Sequence, residues 1–157
     1  MAQVSEDETR ALRGLIDRLN TTEPLNWNQS EAMRGAHLFD WSGTDIGPAI
    51  LERHRARYRA RAFDIAPKHG EFFGKMADQD LGWNVQFLGR LLDDWFANAH
   101  FMPPHWPDRI CVLLRKAKEF ELERDFLAAF IRHYMTPFTT PKNCRILARA
   151  SKIGVIS

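Results

Sequence analysis

The chain has two cysteines in 157 residues, Cys111 and Cys144, too few and too far apart for a disulfide framework. That scarcity suits a reducing compartment. No apolar run approaches the roughly 20 residues that cross a bilayer as a helix. The opening MAQVSEDETRALRG is acidic and has no apolar core of the signal-peptide kind, so a cytoplasmic location is expected. The formal net charge is only +2, which by itself indicates no polyanion partner. No glycine-rich phosphate loop occurs, and Trp41-Ser42-Gly43 lacks the glycine pattern of a nucleophile elbow. No segment alternates with the period of a strand for long enough to predict a sheet, and no repeat recurs at a fixed spacing.

What remains is an aromatic-rich helical chain, with five Trp and eleven Phe. Large aromatics build cores and also anchor interfaces. Ser5-Glu6-Asp7-Glu8 forms a capping box, and Leu12, Leu15, Ile16 and Leu19 follow at helical spacing to about Asn20. Asn26 to Pro48 holds one short helix and the turn Asp40-Trp41-Ser42-Gly43. A helix over about 49–65 carries HRARYRARAF, and residues 71–77 add one further turn or two. Asp78 is expected to cap a central helix, Gln79 to Asn98, whose seam is Leu81, Val85, Leu88, Leu92 and Trp95. Trp83, Phe87 and Leu91 widen that seam, while Gly82 and Gly89 offer room for a close neighbour.

Pro103 to Met135 reads as a helical hairpin that turns near Lys118-Glu119. Pro107 begins its first helix, with Ile110, Leu113, Leu114 and Ala117 inward, and Trp106 closes over its edge. Leu122, Phe126, Leu127, Phe130, Ile131 and Tyr134 line the return helix. Thr140-Pro141 starts a last helix with Ile146 and Leu147 inward, Gly154 ends it, and Val155-Ile156-Ser157 is left as a loose tail. The sum is an all-α chain, residues 1–157 forming one compact single-core bundle of about six helices.

Over about 106–135 the hairpin resembles a tetratricopeptide-type helix pair. Leu113-Leu114 stands at the end of the first helix, Lys118-Glu119-Phe120 matches the turn and its following aromatic, and Leu127 and Phe130 fall at packing positions. Glu123 departs from the pattern where a small residue is usual, and Lys118 where glycine is frequent. The resemblance implies a peptide- or protein-binding groove without catalysis.

Candidate functional residues lie mostly elsewhere. On a helical wheel Arg53, Arg57 and Arg61 run along one edge of the apolar face that carries Tyr58, and Arg55 and Arg59 along the other. Their stems can cover that face while the guanidinium groups stay hydrated, or the stripe can hold phosphates with Tyr58 stacking on a base. Trp41, in its turn, is the best candidate for a partner contact. His37, His54, His69, His100, His105 and His133 are scattered, with no cysteine pair to complete a zinc site, so neither metal nor cofactor is expected. Asp93 and Asp94 diverge by about 100° on a helix and cannot work as a dyad. Glu119, Glu121 and Glu123 with Lys116, Lys118 and Arg124 read as a solvated mixed-charge face, and Cys111 faces helix packing. The expected function is non-enzymatic binding of another protein, or self-assembly, as an adaptor, inhibitor or subunit. Nucleic-acid binding through the arginine helix is the alternative, and a small enzyme with a histidine-containing site the second alternative.

Overall fold

The computed structural model describes residues 3–25, 79–98, 105–134 and 141–156. These are helical, with no strand among them. The helices are α1 (Glu6–Thr21), α2 (Leu81–Asn98), α3 (His105–Lys116), α4 (Phe120–Tyr134) and α5 (Pro141–Lys152). The short helix within 26–48, the arginine helix over 49–65 and the turns at 71–77 lie outside the described residues.

Local chemistry sets each start. Ser5 Oγ accepts the Glu8 amide at 3.1 Å, and the Ser5 amide donates to Glu8 Oε2 at 2.9 Å, completing the capping box of α1. The other oxygen of Glu8 accepts the Gly82 amide at 3.3 Å, so one carboxylate serves the first turns of two helices. For α2 the cap is Asp80, two positions beyond the expected Asp78. Its Oδ1 accepts the Trp83 amide at 2.9 Å. Asn84 adds a side-chain bond to the Asp80 carbonyl at 2.7 Å. Pro107 sits inside the first turn of α3, where its missing amide has no intrahelical partner to lose.

Two helices end in Schellman motifs. After α3, Lys118 takes φ 63° while its amide donates to the Arg115 carbonyl and the Glu119 amide to that of Leu114. After α5, Gly154 takes φ 76°, with Val155 bonded back to Ala150 at 2.8 Å. Val155 and Ile156 then pack, half-buried, on the core. Arg124 holds the Ile153 carbonyl at 3.0 Å. The tail that the sequence leaves loose is thus held as far as Ile156.

Among these helices, α1 packs on α2 and α4, α3 on α2 and α4, and α5 across both α3 and α4. The seam anticipated for α2 is buried, as are the inward residues of α1 and Ile110, Leu113 and Leu114 of α3. Yet α2 is not the centre of the described part. There α3 and α4 each meet three other helices and α2 meets two, and Phe126, Leu127 and Phe130 of α4 are fully enclosed. Trp106 is no lid over an edge. It lies within α3, buried, edge-on to Trp83 and Phe87 at 5.6 and 4.8 Å between ring centroids. Such pairs add about 0.5–1.5 kcal/mol beyond burial alone. Among the described residues, a Cβ at Gly82 meets only ordinary contacts, with Asp80 and with Glu8 of α1, and one at Gly89 meets none. No described helix is long and apolar enough to cross a membrane.

Candidate functional site

The residues proposed from sequence as partner-binding, Trp41, Arg53, Arg57, Tyr58 and Arg61, lie outside the described residues, as do His37, His54, His69 and His100. Of the remaining histidines, His105 stands edge-on to Trp106 at 4.8 Å. His133 is buried, with Nε2 2.6 Å from the Leu19 carbonyl. Beside it Arg132 donates to the carbonyls of Leu19 and Asn20 at 3.2 and 2.8 Å. The end of α4 thus supplies cap donors to the end of α1, where carbonyls lack partners. Burial holds the His133 pKa below its ordinary value, against the opposing pull of the Leu19 bond. Asp93 is taken by Arg18 at 2.6 Å, which also lies 5.5 Å over the Phe96 ring. His133, Arg132 and Asp93 thus join helices to one another.

A different cluster forms where α3, α4 and α5 meet. Glu123, expected on a solvated face, has 0% exposure. The reason is periodicity: Phe126, Leu127 and Phe130 stand three, four and seven positions on, so Glu123 lies on the buried side of α4. A lone carboxylate there costs several kcal/mol. Arg149 of α5 offsets that cost, donating from Nε and Nη2 to the two carboxylate oxygens at 2.8 Å each. Arg115 of α3 brings Nε to 3.6 Å of Oε1. The hydrogen bond to Glu123 raises the Arg149 pKa further. Cys111 adjoins this cluster, buried, and its thiol is driven well above the ordinary cysteine range, first by burial and next by the charge of Glu123. A thiol so held is a poor nucleophile.

The cluster floors one side of a groove of about 350 Å³ between α3 and α5. Asp108, Val112 and Arg115 contribute from α3, and Arg145, Ala148, Arg149 and Lys152 from α5. Arg145, Arg149 and Lys152 recur at helical spacing, a basic stripe legible in the sequence but passed over there for the denser arginines of 49–65. Both oxygens of Glu123 are engaged by Arg149, and burial holds the neighbouring thiol well above its ordinary range. Among the described residues no cluster of three or more histidine, cysteine or carboxylate side chains is arranged to hold a metal ion.

No protein-family model matches the chain, and no match is found among curated proteins or solved structures.

Proposed function

We propose that this chain is a non-enzymatic domain that binds another protein, acting as an adaptor, an inhibitor or an assembling subunit. The observation that carries the reading is the placement of α5 across both helices of the α3–α4 hairpin, which leaves a groove between α3 and α5. The tetratricopeptide resemblance of 106–135 points the same way, since it implies a peptide- or protein-binding groove. The disposition of ionisable groups supports it as well. Glu123, His133 and Asp93 are engaged in joining helices, and the Cys111 thiol is withdrawn. For the chain as a whole we extend this to a single-core bundle of about six helices in the cytoplasm, the setting that a buried free thiol suits.

Purification of the tagged chain from its native host under gentle conditions tests the reading. A protein recovered in stoichiometric amount, lost when the chain is denatured first, is the expected result. Co-purifying nucleic acid, which the arginine helix over 49–65 would explain, or turnover of a small molecule would contradict it.

A further inference from the structure

We propose that the α3–α5 groove recognises an acidic, aliphatic peptide segment of a partner protein. The inference rests on the reading of the chain as a protein-binding domain and specifies the chemistry of its ligand.

Charge is the first support. Among the described residues the lining holds four cationic side chains, Arg115, Arg145, Arg149 and Lys152, and the carboxylate of Asp108, while the Glu123 carboxylate behind them is paired with Arg149 and leaves Arg145 and Lys152 as the exposed cations. The chain as a whole carries a net charge of only +2, so this density is local. Arg145 and Lys152 are exposed on α5 about two turns apart, along the same edge as Arg149.

Preorganisation is the second. Glu123, which has no exposure, fixes the lining residue Arg149 through two bonds, with Arg115 close by. An arginine has five N–H donors. Glu123 takes Nε–H and one Nη2–H of Arg149, which leaves three N–H donors of that guanidinium outside the pair. Arg115 approaches Glu123 through Nε at 3.6 Å. Guanidinium groups fixed in this way lose less entropy on meeting a carboxylate than mobile surface arginines do.

The lining selects among anions. Val112, Leu127 and Ala148 give the groove an apolar component between its cations. A small inorganic anion has no use for that surface, whereas aliphatic side chains flanking a glutamate or aspartate would cover it. Single-stranded nucleic acid is bound through aromatic platforms on which bases stack, and no described residue lining the groove is aromatic. The geometry therefore favours a peptide over a polynucleotide.

The test is fluorescence anisotropy on the full chain with a labelled short peptide of alternating glutamate and leucine. The controls are the same peptide with glutamine for glutamate, and labelled oligothymidylate. Arg145→Glu and Lys152→Glu change exposed residues with no helix-joining role, and circular dichroism verifies that each variant keeps its helices. The acidic peptide should bind at least about tenfold more tightly than the glutamine peptide, and each charge reversal should weaken it several-fold, with affinity falling as salt rises. Equal binding of both peptides, or acidic-peptide binding indifferent to the two reversals, overturns the groove inference and leaves the protein-binding reading standing. Oligothymidylate binding more tightly than the peptide, and losing affinity in the same variants, overturns both.

Discussion

Glu123 shows how a single residue can invert its apparent role. Its charged neighbours in sequence place it on a wet surface, while its helical neighbours place it in the core, and the 3.6-residue period decides. The carboxylate is enclosed because Arg149 and Arg115 come to it from two other helices. Removing either side of the bidentate pair strands the other. Glu123→Ala and Arg149→Ala should each lower unfolding free energy by about 3–5 kcal/mol, read from urea midpoints at unchanged slope. Replacing both together, with leucine at 123 and methionine at 149, should cost much less than the sum, since no buried charge is then left alone. His133 makes a prediction in pH. Its folded pKa lies below the unfolded value of 6.5, so the unfolded chain binds the proton more readily. Stability is fully present above that value and declines as pH falls from it toward the depressed folded pKa, below which this contribution levels off. A His133→Gln variant should show a shallower decline across that window in denaturant titrations at stepped pH.

At the scale of elements, the ends of helices carry most of the readable code. The Ser5–Glu8 box, the Gly154 stop, the inward face of α1 and, in the hairpin, Ile110, Leu113, Leu114, Leu122, Phe126, Leu127, Phe130 and Ile131 follow from local spacing and are buried or placed where spacing puts them. The α2 cap slipped from Asp78 to Asp80 because two aspartates flank Gln79 and either satisfies the local rule. What was not legible depends on distant segments meeting. The double service of Glu8 joins positions 74 apart in sequence. Ser5→Ala should cost about 1 kcal/mol. Glu8→Ala should cost more, because it deprives the first turns of both α1 and α2. Lys118 holds a left-handed conformation that disfavours a side chain by about 1–2 kcal/mol. Lys118→Gly should therefore raise the melting temperature, and Lys118→Val should lower it, with the hairpin otherwise unchanged.

For the whole molecule, the groove emerges only when α5 lies across the hairpin. Its basic stripe was visible in the sequence of α5, but its counterpart on α3 and the buried carboxylate that braces both come from elsewhere in the chain. This is why sequence reasoning fixed on Trp41 and the arginines at 53, 57 and 61, where aromatic and basic residues crowd locally. Those residues lie outside the described part. The central claim is that the face between α3 and α5 is where this domain meets its partner. Amide chemical shifts followed by NMR while the acidic peptide is titrated into the full chain test it most directly. The account predicts that the largest shifts cluster at Cys111, Val112, Arg115, Ala148 and Arg149, with the Nε signal of Arg149 among them. Shifts concentrated on α1 and α2, with these five residues unmoved, would contradict it.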